Sequence, residues 1–180
     1  MEVGDGDRKQ LMSGTIDRVD ICENGTDVYV RIIDYKTGKK DFNIVKTYYG
    51  IDIQLMVYME AAMKLVAKMR PGKNVIPAGV FYYNISDPIV SATTESAEEI
   101  EDKIKGELRL KGMVNSDKDI AEKMDNTGGT SLNIPVSRKA DGGFDSRRSK
   151  VMNTEQFNML GRFVDVRAVL MKQMPVSLKK

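Results

Sequence analysis

Histidine is absent from the 180-residue chain. Its absence excludes Ser-His and Cys-His nucleophilic catalysis and histidine-ligated zinc. Cysteine occurs once, at Cys22. One thiol cannot make an internal disulfide or a structural zinc site, and it fits a reducing, cytoplasmic setting. Its plainest reading is a small buried hydrophobe. The first residues, MEVGDGDRK, are polar and read as a frayed end rather than a signal peptide. Apolar runs stop far short of the roughly 20 residues that a membrane span needs. An excess of one charge is also missing. The 28 Lys and Arg against 26 Asp and Glu leave +2, too little to predict nucleic-acid binding by itself. No internal repeat or low-complexity segment interrupts the chain. With 41% hydrophobic and 30% charged residues, it reads as one globular domain able to bury a core.

The most informative stretch is GTIDRVDICENGTDVYVRIIDYK, residues 14–36. It predicts two strands, roughly 11–22 and 27–35, rich in Ile, Val and Tyr. Asn24-Gly25 between them signals a type I′ turn, which needs positive φ at both central residues. With those two as the loop, Glu23 faces Thr26, Asp17 faces Ile32 and Asp34 faces Thr15. Asp34 is then the diagonal neighbour of Asp17 on the same face, about 7–8 Å away. Lys36, two residues beyond Asp34, points to that face too. Two carboxylates on adjacent strands suit Mg²⁺, and a nearby ammonium can orient or deprotonate an attacking water. The bland reading is a surface hairpin with scattered charges. Asp20, an odd number of residues from Asp17, belongs to the opposite face, in an ion pair there with a helix residue as one possible partner.

Downstream, residues 39–46 read as a loop or short strand anchored by Phe42. Residues 50–69 read as a helix with an apolar stripe of Ile51, Leu55, Tyr58, Ala62, Leu65, Val66 and Met69. Gln54 and Tyr58 share one of its faces, which by itself suggests a surface amide and a packed aromatic. Residues 75–85 predict a buried strand beside the hairpin, with Tyr82 and Tyr83 packed. Residues 96–110 predict a helix with a Ser96/Glu99 capping box. A short helix follows near Ser116, then a hairpin-like excursion over 132–143. A last helix over 153–173 is capped by Asn153 and lined by Phe157, Leu160, Phe163, Val164 and Met171. Lys36, Lys39, Lys40 and Lys46 form one basic group, and Arg138, Lys139, Arg147, Arg148 and Lys150 another. For each, a solvated loop and a phosphate-binding surface both stay open.

GTIDRVD, then IIDYKTG, then a helix carrying QLMVY together resemble the PD-(D/E)XK nuclease superfamily, in its RecB-like branch. VFYYNISDPIV and NIPVSRKADGGF are similar to the C-terminal nuclease domain in B subunits of AddAB-type helicase–nucleases. The resemblance implies an α/β fold: a restriction-endonuclease-like core with a mixed central sheet flanked by helices. It implies Mg²⁺- or Mn²⁺-dependent exonuclease action on DNA in double-strand break repair and recombination, alongside an AddA-like partner subunit. Asp17 and Asp34, with the Tyr35 backbone carbonyl, would hold the metal. Lys36 would serve the attacking water, and Gln54 and Tyr58 would line the site. Residues 1–180 would be a single nuclease domain cut from a longer subunit. The branch often carries a histidine ligand and the B subunits an iron–sulfur cluster; this chain has no histidine, and the cluster's cysteines are not in it. A nuclease fold kept for DNA binding or subunit docking, without catalysis, is the alternative.

Overall fold

In the computed structural model, residues 2–3, 10–11, 14–85 and 96–173 are described, with side chains over 14–85 and 96–164. The elements are β1 (Glu2–Val3), β2 (Gln10–Leu11), β3 (Arg18–Asn24), β4 (Asp27–Lys36), α1 (Ile44–Tyr48), α2 (Gln54–Met69), β5 (Asn74–Asn84), α3 (Ala97–Leu108), β6 (Lys111–Asn115), α4 (Lys118–Met124), β7 (Val151–Met152) and α5 (Thr154–Gln173). β1 and β2 pair with each other. The main sheet runs β3-β4-β5-β6-β7. It is mixed: β3/β4 and β5/β6 are antiparallel, β4/β5 and β6/β7 parallel. The expected α/β architecture is what forms.

The hairpin differs from the type I′ expectation in an instructive way. Asn24 pairs with Asp27, so Gly25 and Thr26 are the loop. Gly25 has φ 61°, and among the described residues no non-glycine has positive φ. A single left-handed residue at the first loop position is what a type II′ turn requires. Each partner therefore moves by two residues, which preserves the faces. The ladder runs back to Arg18 opposite Ile33, which puts Asp17 and Asp34 next in line, opposed rather than diagonal.

β4 is buried on both sides, as strands of parallel pairs usually are. Val28, Val30 and Ile32 point to one face and pack with Leu55, Met56, Met59, Ala62 and Val66 of α2 and Phe157, Leu160 and Val164 of α5. On the opposite face Ile33 and Phe81 join Val114, Ala121, Ile134 and Val136. The register of β4 against β5 shifts between Val30 and Arg31. Pro77, which has no N–H to donate, sits at this irregularity. Its carbonyl accepts from Asn115 Nδ2 at 2.7 Å.

Several expectations are corrected. The long helix starts at Gln54, not at residue 50. Ile51 lies ahead of it and is exposed, and Leu65 and Met69 are exposed too. The buried stripe is rotated to 55/56/59/62/66 because the helix packs against both the sheet and α5. Residues 44–48 form α1, capped by Asn43 Oδ1 on the Lys46 N–H at 3.0 Å; Phe42 is a buried anchor as expected. β6 was not anticipated. The short helix expected near Ser116 forms as α4, capped by Asp117. Cys22 is exposed, not buried, because β3 is the sheet's edge strand. The capping box of α3 forms as read. Asn153 caps α5, with reciprocal bonds to Gln156 of 2.8 and 2.9 Å. Of the expected α5 stripe, Phe157, Leu160 and Val164 are buried and Phe163 stacks on Tyr48 at 4.3 Å; Met171 lies outside the described side chains.

The 125–150 excursion is tied down by Asp125. Its carboxylate accepts from Ser131 Oγ, from Asn133 Nδ2 at 3.1 Å and from the Thr127 N–H at 2.8 Å. Burial pushes this carboxyl up, but those hydrogen bonds outweigh it and pull it to about 2. Arg138 is drawn into the same knot, donating to the Asp125 and Thr127 carbonyls at 2.7 Å each, which makes its role structural.

This packing has measurable consequences. A Cβ at Gly112 would meet the Val80 carbonyl oxygen at 1.9 Å, and backbone cannot step aside cheaply. Gly112→Ala should lower stability by about 1–3 kcal/mol or more, read as a shift in urea midpoint. For Asp125 the folded pKa lies below the unfolded one. Its contribution is therefore whole above the unfolded carboxylate range and fades as pH falls through about 2. Asp125→Asn should cost about 2 kcal/mol at neutral pH and almost nothing near the folded pKa, followed by circular dichroism across the acid range.

Candidate active site

Even-numbered residues of β4 face α2, and the last two on that face are Asp34 and Lys36. Asp34 ends an otherwise apolar row and is only 2% exposed. Lys36 Nζ lies 2.5 Å from Asp34 Oδ2. That short contact is a charge-assisted ion pair, the partner the structure gives this buried oxygen. Lys36 Nζ also donates to Gln54 Oε1 at 3.0 Å. Gln54 Nε2 in turn donates to the Tyr58 hydroxyl at 2.9 Å. Gln54 opens α2 and Tyr58 follows one turn later, so both ends of the amide are used at one helix face. Gly14 closes over this relay: a Cβ there would stand 3.7 Å from the Tyr58 ring.

Asp17 comes in from the segment leading into β3. It is exposed, and its Oδ2 accepts from the Tyr35 N–H at 2.9 Å. Tyr35 thus meets Asp17 through its amide, while its side chain turns to the other face and packs edge-on against Tyr83, centroids 5.8 Å apart. Asp20 is on that other face, as read from the spacing. Its partners are strand residues, Arg18 at 2.9 Å and Arg31 at 2.7 Å, rather than a helix residue. Burial raises its pKa, but the two arginines outweigh burial and hold the carboxyl below its usual value.

Sequence reading missed a second layer beneath the relay. Tyr82, fully buried as expected for a packed aromatic, also donates from its hydroxyl to Asp52 Oδ1 at 2.9 Å. Burial first, then the Asp52 carboxylate, push the phenol well above its ordinary value. Lys40 Nζ pairs with Asp52 Oδ2 at 3.1 Å. Lys36 and Lys40 stand 5.7 and 5.2 Å from the Tyr82 ring centroid, within cation–π range. Asn84 clamps the Lys40 backbone with bonds of 3.0 and 3.1 Å. The only sequence signal was the density of lysines after the hairpin. The rest needs the β4/β5 register, in which Asp34 faces Tyr82 and Lys36 faces Asn84.

A half-buried lysine over a buried carboxylate has an asymmetric energetic signature. Lys36→Met should leave the Asp34 charge uncompensated and cost about 3 kcal/mol, the lower end for breaking a buried pair. Asp34→Asn should cost less than about 1 kcal/mol, since it removes the buried charge itself. Urea unfolding without divalent cations checks both; equal losses would mean that the pair is not what sets the local energetics.

Comparison with known proteins gives the family. The family model of the PD-(D/E)XK nuclease superfamily matches residues 1–140. The chain is 40% identical over 153 residues to the B subunit of an ATP-dependent helicase/deoxyribonuclease from Thermoanaerobacter sp. (strain X514), covering 84% of this chain and 13% of that protein. Proteins of the same description from Clostridium botulinum (strain Hall) and Clostridium tetani (strain Massachusetts) are 39% and 42% identical over 166 residues, covering 91% of this chain and 14% of theirs. The chain thus spans about one seventh of the length of these relatives. Asp34, Lys36, Gln54 and Tyr58 all fall inside the matched region, and the chain belongs to the PD-(D/E)XK nuclease superfamily.

Proposed function

We propose that this chain hydrolyses DNA phosphodiester bonds with Mg²⁺ or Mn²⁺, as the exonuclease domain of a helicase–nuclease that works with an AddA-like partner subunit in double-strand break repair and recombination. The observation that carries the reading is Asp34: a carboxylate buried at the end of an apolar strand with the Lys36 ammonium against it, next in sequence to the Tyr35 N–H that holds Asp17. An acid and an ammonium at the mouth of a strand, with a second acid held nearby, fit a hard-cation site, and Mg²⁺ usually takes one or two protein carboxylates.

Asp17 and Asp34, with the Tyr35 carbonyl, would hold the ion. When bound, it would polarise a phosphoryl oxygen and offset developing negative charge. The protein's own groups do the positioning. Gln54 fixes Lys36 Nζ by accepting one of its protons, and Tyr58 fixes Gln54. Lys36 keeps further N–H donors to orient a water toward phosphorus and to stabilise charge building on the non-bridging oxygens. The Tyr35 N–H holds the Asp17 carboxylate in place. An iron–sulfur cluster does not fit the residues present. It needs four thiolates, and the chain has only Cys22, exposed on the edge strand. Among the described residues no helix is long and apolar enough to cross a membrane.

Two measurements test this reading. Mg²⁺ should raise the melting temperature of the chain in proportion to occupancy, and Asp17→Ala or Asp34→Ala should remove the increment. In a full-length protein of the helicase–nuclease kind, Asp17→Ala, Asp34→Ala and Lys36→Ala should each abolish cleavage while ATP-driven unwinding by the complex survives. Cleavage at wild-type rates in all three variants would refute the site.

A further inference from the structure

Asp34, Tyr82 and Lys111 lie side by side on β4, β5 and β6. Residues in register on neighbouring strands share a face, and strands are about 4.8 Å apart. Lys111 is therefore about 10 Å from Asp34, on the side where Lys36 and Lys40 flank the Tyr82 ring. Here the surface opens into a cleft of about 490 Å³. Five cations line it: Lys39, Lys40, Arg109, Lys111 and Lys150. Only two acids do, Asp41 and Glu107.

Three members of this group sit in ion pairs. Lys150 pairs with Asp41 at 2.6 Å, Lys40 with Asp52 at 3.1 Å, and Lys39 with Glu107 at 3.9 Å. Arg109 and Lys111 are different. Both are half-buried, and among the described residues neither pairs with an acid. Arg109 Nη1 donates to the Ser131 carbonyl at 3.1 Å and Lys111 Nζ to the Gly106 carbonyl at 2.9 Å. A guanidinium has five N–H donors and an ammonium three, so most of their capacity is unused. Burial lowers the pKa of each. Asp41 and Glu107 act on Lys111 through space, but neither cation has an acid in direct contact among the described residues; partly desolvated cations of this kind are costly, and an anion entering the cleft would bond to both.

We infer that this cleft binds a backbone phosphate of the DNA strand through Arg109 and Lys111, with Lys111 two strands along the row from Asp34. The inference rests on the nuclease reading above and adds to it a second grip on the substrate strand. The two residues suit the task. Arg109 ends α3, Lys111 opens β6, and the close approach of Gly112 to Val80 anchors that strand rigidly. An arginine fork engages phosphate bidentately, and a lysine adds a point charge. Since neither group touches the Asp34–Lys36 pair, they act on binding rather than on the chemical step.

The test is equilibrium binding of a fluorescent oligo(dT) to the chain in EDTA, titrated with KCl. The slope of log K against log [salt] reports phosphates neutralised, about 0.7 per contact on a single strand. Arg109→Gln and Lys111→Gln should each weaken binding and flatten the slope by up to about 0.7. Lys111→Arg should retain the slope, and Lys68→Gln, in the last turn of α2 and outside the cleft lining, should leave it unchanged. Melting temperatures identify any variant that has lost its fold; Lys111→Gln, which gives up only one surface carbonyl contact, is the decisive one. A slope unchanged in both glutamine variants, or no binding by the wild-type chain at low salt, would overturn the inference. The nuclease reading fails separately: Lys36→Ala cleaving at the wild-type rate would sink it whatever the salt slopes show.

Discussion

A negative charge is buried at the end of an apolar strand, and the arrangement around it follows from the need to hold that charge. β4 carries Val28, Val30 and Ile32 into the α2 face and then, on the same row, Asp34. Lys36 supplies the counter-charge at 2.5 Å, but alone it would be free to swing away. Gln54 restrains it, and Tyr58 restrains Gln54. Each member of the relay uses hydrogen-bonding capacity that the next one needs. This is how a functional group is kept in one rotamer on rigid elements.

The same charge explains the layer beneath. Asp34 lies beside Tyr82, whose hydroxyl is committed to Asp52, and Asp52 is committed to Lys40. Thr47 of α1 donates to the Asp52 carbonyl at 2.8 Å, so the small helix is coupled to the corner where α2 begins. Paired cations thus flank the Tyr82 ring, Lys36 with Asp34 and Lys40 with Asp52, on the side that opens toward the cleft at Arg109 and Lys111.

Much of the candidate site was legible because β-strands have period two. The common face of Asp34 and Lys36 was read correctly although the turn type was not. The true loop, Gly25-Thr26, moves each partner by two residues and leaves parity intact. An error of one residue would have reversed every assignment. Helix caps at Ser96 and Asn153 were legible for a similar reason: a cap is decided within four residues. The stripe of α2 was misread because its burial is set by two neighbours, the sheet and α5. Ile51 and Leu65 matched the period but met no partner. β6 escaped because a five-residue strand containing a glycine shows no alternation, and its place depends on how closely it can approach Val80.

By itself the sequence determined what acts within a few residues: the two strands of the hairpin, the common face of Asp34 and Lys36, the i, i+4 placement of Gln54 and Tyr58, the helix caps, and the exclusion of histidine and disulfide chemistry. Those follow from local geometry and residue type. Tertiary structure decided which of these groups meet. Parallel pairing of β4 with β5 sets Tyr82 beside Asp34, and antiparallel pairing of β5 with β6 brings Lys111 into the same row. Packing of α2 on the sheet turns Gln54 onto Lys36. The edge position of β3 leaves Cys22 exposed. Strand order and helix docking join residues tens of positions apart through the burial of apolar surface, which is proportional to area and carries no direction in sequence.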